Sequence, residues 1–331
     1  MVGVHPQAGI AGVRPAADVA VTYAAVCSRW LVIGTVAVFG GQLFGAPSVT
    51  AVVALAVAVV GILAGVPHGA VDHLVAVRLS RGRSVLAVGA VYASVAAAAW
   101  ALLRWTGPVA LVAVVVLSAL HFGLGELEVW RRLTTWRPGR PVVAALVVAG
   151  AGAVLLPVAR AGDQFAEVAQ AVSPGLAAVI GTAGVQIGLS TVWVGAAIVV
   201  TAAALRSGRG TVVVLDVALI GTLCLVAPPL VAFAVWFGGW HALRHSARLL
   251  AVDPGCSALL RAGRPRSAVM RLARHSALPS VAVIAVLAGL CSFTVAAPDP
   301  TAVLAEVLRV LLALTVPHMV VVWWLDRSQA G

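Results

Sequence analysis

Six histidines of this 331-residue chain lie within or beside long apolar segments, where ionisable side chains are costly and often functional. They are His68, His73, His121, His241, His245 and His318. His241 and His245 are four residues apart, so on one helix both imidazoles share a face and can bind one metal ion. Imidazole ligands suit iron, copper or zinc better than magnesium or calcium. The spacing therefore predicts a metal centre between apolar helices.

The distance to the next arginine indicates that these histidines lie at similar depths in a membrane. His68 and His121 each precede an arginine by ten residues, and His318 precedes one by nine. At 1.5 Å of rise per residue, this places them about 15 Å from the charged interface. His241 and His245 lie seven and three residues before Arg248, with Arg244 between them. We expect four helices to bring imidazoles to one level.

Two carboxylates accompany the histidines. Asp72 follows His68 by four residues, and its carboxylate is a candidate acceptor for the ring N–H of a metal-bound histidine. Glu126 lies five residues after His121 and needs a partner, and it is a candidate to bind or orient a ligand. Pro67 and the neighbouring glycines predict a kink and a close helix approach beside His68.

The composition indicates the elements that must hold these residues. Apolar residues make up 62% of the chain and charged residues 10%, and the mean hydropathy is +1.06. Soluble domains have about 45–50% apolar and about 25% charged residues. The numbers therefore exclude a soluble globular, disordered or disulfide-rich secreted protein. The four cysteines are far apart, which predicts neither disulfides nor a structural zinc site.

Continuous apolar segments predict an all-α polytopic membrane protein with about ten transmembrane helices, eight or nine being alternatives. We place the candidate spans at about 30–46, 50–77, 84–103, 108–130, 141–159, 175–205, 211–227, 229–250, 278–297 and 303–325. The sixth is long enough to be tilted or broken near Gly188. Residues 1–28 are predicted to be a cytoplasmic tail without a cleavable signal, and residues 29–331 a single catalytic membrane domain.

The net charge of +11 comes from 22 basic residues, all arginine, against 11 acidic ones. With ten spans, most arginines fall on one side of the membrane, which is the asymmetry of the positive-inside rule. The distribution predicts a cell-membrane protein with both termini in the cytoplasm. Because the arginines separate apolar segments instead of forming a basic surface, we expect no nucleic-acid partner.

Four motifs together resemble the Brp/Blh family of membrane β-carotene 15,15'-dioxygenases. They are Pro67-His68-Gly69-Ala70-Val71-Asp72, His121-Phe122-Gly123 with Glu126, His241-x-x-x-His245 with Arg244, and Thr315-Val316-Pro317-His318-Met319. They occur in the family's order and span about residues 60 to 326. Glu126 stands where many members have Asp, so its reach differs by one methylene, and His73 has no clear counterpart.

The resemblance implies a non-haem Fe(II) centre that cleaves β-carotene centrally with O₂ to give two molecules of all-trans-retinal. It implies that the ligands are His68, His121, His241 and His245, with Asp72, Glu126 and His318 as supporting catalytic residues. The substrate would enter from the lipid bilayer, and a retinal-binding rhodopsin is a possible acceptor of the product. No flavin or nicotinamide motif is evident, which agrees with a dioxygenase that needs no external reductant.

Two other classes remain open from the residues alone. A di-iron membrane desaturase or hydroxylase acting on a lipid or carotenoid would need more histidine boxes than the one present. A transporter with a relay of histidines and acids is the second alternative, although no inverted repeat is evident in the sequence. The metal content per chain distinguishes the first alternative from a mononuclear dioxygenase.

The arginine asymmetry predicts where the C-terminus lies. A reporter fused after Arg327 should be active only if the reporter functions in the cytoplasm. Activity of a periplasmic reporter at the same position would contradict the ten-span arrangement and the common depth of the histidines.

Overall fold

A computed structural model describes residues 16–46, 48–80, 83–160, 170, 172–296 and 300–330. Within these residues the chain is helical and contains no strand. The helices are α1 Ala16–Gly41, α2 Ala51–Ala70, α3 Asp72–Leu79, α4 Val85–Trp105, α5 Pro108–Leu133, α6 Arg140–Gly150, α7 Gly152–Ala159, α8 Pro174–Ile180, α9 Ala183–Ser207, α10 Thr211–Val226, α11 Pro229–Val235, α12 Leu243–Val252, α13 Pro254–Arg261, α14 Pro265–Ala296 and α15 Pro300–Ala330. A 3₁₀ turn, Gln42–Phe44, follows α1, and a π-helical segment, Trp236–Ala242, joins α11 to α12.

The all-α polytopic membrane fold is confirmed, whereas the count of ten spans is not. Seven helices of the described chain are long and apolar enough to cross a membrane. Arg140–Gly150 and Gly152–Ala159, which meet at a bend of 57°, make up to eight if the pair is one span. Thr211–Val226 has only 16 residues, fewer than the roughly 20 that a bilayer needs.

Two predicted boundaries fall differently along the chain. Residues 16–28, which the sequence analysis places in the tail, form the first half of α1, while residues 1–15 lie outside the described residues. The long sixth segment breaks at Gly181–Thr182, and the helix runs unbroken through Gly188. The cytoplasmic position of the tail and of both termini stays a prediction.

Local sequence signals explain the helix ends near the site. The Thr50 hydroxyl accepts a hydrogen bond from Val53 N at 3.3 Å and caps α2. Pro67 in the last turn of α2 removes a backbone donor, and the helix ends at Val71, where φ is −93° and ψ is 1°. The regular helix is therefore interrupted at Val71, three residues after His68, and Asp72 begins α3.

The core forms where helices cross at small residues. A Cβ atom added to Gly61 of α2 would lie 2.6 Å from the carbonyl oxygen of Ala234 in α11. A Cβ on Gly238 of the π-helical segment would collide with the carbonyl oxygen of Gly61. The two glycines let α2 and the 229–242 segment pack backbone to backbone, which fixes His68 against His241.

This crossing predicts opposite effects for two Gly-to-Ala changes. Gly61→Ala should destabilise the protein by about 1–3 kcal/mol, because the added methyl meets backbone that cannot rotate away. Gly34→Ala is the matched control, since no atom lies within 4 Å of its added Cβ. Alanine at position 34 should stabilise α1 by up to about 1 kcal/mol. Thermal unfolding in detergent measures both, and equal midpoints would contradict the close crossing.

Candidate metal centre

Five of the predicted histidines converge inside the bundle. His68 comes from α2, His121 from α5, His241 from the π-helical segment, His245 from α12 and His318 from α15. All five are at most 9% exposed. Their ring centroids lie 4.8 to 6.0 Å apart in seven pairs, and each ring has at least two such neighbours. The structure thus brings together imidazoles that are up to 250 residues apart in the chain.

The free nitrogens of this cluster fit a metal ion. Ligand atoms of His68, His241 and His318 all lie within 4.8 Å of one another. The Nε2 atoms of four histidines are buried and lack a hydrogen-bond partner; they belong to His121, His241, His245 and His318. A buried polar atom without a partner is costly, and a metal ion is the partner that several converging imidazoles share. The donor set fits iron, copper or zinc.

His68 is held by its own helix end. Its Nδ1 contacts the carbonyl oxygen of Gly65, one turn earlier. A ring that donates from Nδ1 to a carbonyl has its Nε2 lone pair available for a metal. Gly65 also lacks a Cβ where Phe237 packs, so the Phe237 ring lies edge-on to His68 at 5.4 Å between centroids.

Asp72 contacts His318 and not the neighbouring His68. The Asp72 Oδ2 atom lies 2.8 Å from His318 Nδ1, and it accepts a hydrogen bond from the Tyr92 hydroxyl at 3.2 Å. Val71 interrupts the regular helix between α2 and α3, and Asp72 is the first residue of α3. Sequence reasoning missed Tyr92, whose only signal is a phenol within the apolar helix α4.

The π-helical segment shapes the His241–His245 pair. His241 lies in the wider π turn and His245 in the α-helix that follows. The two rings are nearly parallel, at an interplanar angle of 13° and a centroid distance of 6.0 Å. The Trp236 ring also stacks on His241, at 5.5 Å between centroids. Short π-helical segments occur frequently at functional sites, and the i, i+4 spacing alone did not predict this one.

Glu126 lies beside the centre. The structure describes no hydrogen bond between its carboxylate and the histidines of the cluster. Its Oε2 atom accepts from Arg244 Nη1 at 2.8 Å, and both side chains are 1% exposed. Arg244 lies between His241 and His245 in sequence, and its guanidinium stacks 3.6 Å over the Trp240 ring. The acid thus neutralises the arginine that separates the two histidines.

Asp216 extends this network to two more helices. It accepts from Arg244 Nη1 at 3.0 Å, from Arg29 Nε at 2.6 Å and from Trp130 Nε1 at 3.0 Å. The Ser28 hydroxyl accepts from Arg244 Nε at 2.9 Å. The sequence analysis assigned these residues no role in the site, because a lone Asp in an apolar helix does not reveal its distant partners. We call Arg29, Glu126, Asp216 and Arg244 the buried ion network.

The other described histidines, His73 and His275, and the cysteines lie outside the cluster. His73 Nδ1 contacts the carbonyl oxygen of Ala70 at 2.9 Å, and its side chain is only partly buried. His275 is partly buried within α14, and His5 lies outside the described residues. None of the four cysteines forms a disulfide.

The buried ion network predicts a large stability cost for removing its arginine. Arg244→Met leaves Glu126 buried without its cation and should cost about 3–5 kcal/mol in unfolding free energy. The control is Arg271→Gln, because Arg271 is 45% exposed and pairs with Asp253 at 3.4 Å. That change should cost about 0–1 kcal/mol. Denaturant unfolding in detergent compares the two, and a smaller loss for Arg244→Met would contradict the pairing.

Comparison with known proteins gives one consistent answer. Residues 57–326 match the family model described as BCD, beta-carotene 15,15'-dioxygenase. The chain is 32% identical over 289 residues to the probable beta-carotene 15,15'-dioxygenase Blh of Halobacterium salinarum (strain ATCC 700922 / JCM 11081 / NRC-1). That alignment covers 80% of this chain and 82% of the relative. No solved structure matches the chain. The chain therefore belongs to the membrane-embedded β-carotene 15,15'-dioxygenase family, whose members are carotenoid-cleaving enzymes.

Proposed function

We propose that this protein cleaves β-carotene centrally with O₂ and releases two molecules of all-trans-retinal. The active site is a non-haem Fe(II) centre held by His68, His121, His241 and His245. The observation that carries this proposal is the buried cluster of five imidazoles, four of which have an Nε2 atom without a partner, in a chain that belongs to a carotene dioxygenase family. Family membership supports the substrate, and the donor set supports the iron.

The proposed ligands are neutral imidazoles, and each leaves one ring nitrogen for the metal. Bound iron would supply the means to activate O₂ next to the substrate. Oxidative cleavage of one carbon–carbon double bond places one oxygen atom of O₂ in each aldehyde. The alkene supplies the electrons, so the reaction is balanced without a separate reductant.

Aromatic side chains line the cluster on the side of α5 and the π-helical segment. Phe122 lies 4.7 Å from the His241 ring and 4.9 Å from the Trp236 ring, measured between centroids. Phe237 stacks on Phe233 at 5.8 Å. These apolar rings exclude water from the metal-binding nitrogens and offer flat surfaces against which a polyene can pack. This environment favours a bilayer-dissolved hydrocarbon over a polar substrate.

Two supporting roles follow from the contacts. Asp72 would orient His318 through its hydrogen bond to Nδ1. Glu126 would act through Arg244, because their ion pair fixes the helix turn that carries His241 and His245. The product leaves in the bilayer, where a retinal-binding rhodopsin is the proposed acceptor. The proposed location is the cell membrane with both termini cytoplasmic.

Expression in cells that accumulate β-carotene tests the reaction. We expect the cells to lose their carotene colour and to accumulate retinal as the main apocarotenoid, because central cleavage gives two equal fragments. Iron chelation should abolish the change. Unchanged carotene in membranes that contain iron-loaded protein would contradict the proposed substrate. Hydroxylated or desaturated products with an intact carbon skeleton would instead favour a desaturase-like enzyme.

The ligand assignment makes a separate prediction for single variants. His241→Ala and His245→Ala should each lower the iron content and abolish retinal formation. Asp72→Asn should be intermediate, because it weakens the hydrogen bond that orients His318 beside the centre. Loss of such an outer contact at a metal site typically costs about 10–100-fold. His275→Ala, in α14, is the control and should retain iron and activity. Iron analysis and pigment extraction measure each variant; a silent His241→Ala beside an inactive His275→Ala would refute the assignment.

A further inference from the structure

We infer that His318 is itself a metal ligand, so that the centre has a fifth imidazole beyond the four of the proposed function. The inference rests on the proposed metal centre, but it concerns which side chains bind the metal and not the fate of carotene. The sequence motifs gave His318 only a supporting role beside the other four.

The first support is position. His318 belongs to the trio, with His68 and His241, whose ligand atoms lie within 4.8 Å of one another. Nitrogen ligands bind such metals at about 2.0–2.1 Å, so two ligands of one ion are at most about 4 Å apart. A shift below about 1 Å would therefore bring this trio onto one ion. The His318 ring also lies 5.0 Å from His121 and 5.6 Å from His245, between centroids.

The second support is that the two ring nitrogens of His318 lie in different environments. The Nδ1 atom lies 2.8 Å from Asp72 Oδ2, whereas the Nε2 atom is buried and lacks a partner. A metal-bound histidine typically donates its other ring N–H to a carboxylate or a carbonyl. His318 uses the carboxylate of Asp72, as His68 uses the carbonyl of Gly65. By this criterion His318 is equivalent to a residue already proposed as a ligand.

The support around Asp72 strengthens this interpretation. The Tyr92 hydroxyl donates to Asp72 Oδ2 at 3.2 Å and lies 3.4 Å from the carbonyl oxygen of Leu314, one turn before His318. Tyr92 thus connects the carboxylate to the helix that carries the imidazole. Such a chain of contacts fixes the orientation of a ligand ring and directs its free nitrogen toward one point.

A purely structural ion pair would leave an unsatisfied donor. If Asp72 and His318 formed a carboxylate–imidazolium pair, the buried Nε2–H would need an acceptor, and none is present. A buried donor without an acceptor costs about 1–3 kcal/mol. If the ring instead donates from Nδ1 to Asp72, the buried Nε2 atom keeps a free lone pair, which a bound metal would satisfy.

Cobalt(II) binding to the full-length protein in detergent tests this inference. We expect His318→Ala to weaken Co(II) binding, measured by competition with a chelator, by more than the about 10–100-fold expected for Asp72→Asn. His73→Ala is the matched control, because His73 adjoins Asp72 but its Nδ1 contacts Ala70 and its ring is outside the cluster. It should bind Co(II) as the unmodified protein does.

Rescue by free imidazole separates a ligand from a structural residue. In His318→Ala, added imidazole should enter the vacated space and restore the cobalt absorption spectrum. If the role of His318 were only structural, free imidazole would not restore the spectrum. Unchanged Co(II) affinity in His318→Ala would overturn the inference. A second result would also overturn the inference: Co(II) binding is weakened, imidazole does not restore it, and the metal-free variant has a lower unfolding midpoint.

These outcomes are independent of the proposed reaction. If His318 is required for Co(II) binding but the iron-loaded protein leaves carotene intact, the proposed function fails and this inference stands. If retinal forms and His318→Ala binds metal normally, the proposed function stands and this inference fails.

Discussion

The arrangement of this protein depends on one constraint: polar nitrogen atoms buried between apolar helices need partners. Four imidazoles of the buried cluster have an Nε2 atom without any hydrogen-bond partner among the described residues. Left alone they would lower stability, and a shared metal ion would turn that cost into binding energy. The close glycine crossing between α2 and the π-helical segment places the His68 and His241 rings 5.5 Å apart, between centroids. The fold thus holds the five imidazoles in one buried cluster.

The buried ion network solves the same problem for charge. Arg244 must lie beside the histidines because it is part of the helix turn between them, and a lone buried guanidinium would be very costly. Glu126 of α5 and Asp216 of α10 each form an ion pair with Arg244. Arg29 of α1 forms a further ion pair with Asp216. Four helices are thereby tied together next to the metal centre. Positive charge near the proposed iron is compensated before any ligand binds.

Much of the site could be predicted from the sequence, for a physical reason. Histidines and acids are so costly in apolar segments that each one present is informative, and His68, His121, His241, His245 and His318 all reach the cluster. The i, i+4 pair predicted a common face correctly. The contacts of Asp72 were less predictable, because its partner His318 lies 246 residues away in the chain. Arg29 and Asp216, 187 residues apart, carry no local signal of their pairing. The number of spans could not be predicted from the sequence either. A short helix such as Thr211–Val226 is as apolar as a membrane span but has fewer residues than a bilayer crossing needs.

The central claim is that these histidines bind a single metal ion. X-ray absorption of the purified, iron-loaded protein, combined with metal analysis, measures this most directly. The account predicts one iron per chain, bound by four or more imidazole nitrogens at about 2.0–2.2 Å without sulfur ligands. Two irons per chain at a short metal–metal distance, or a ligand set dominated by carboxylate oxygens, would contradict it.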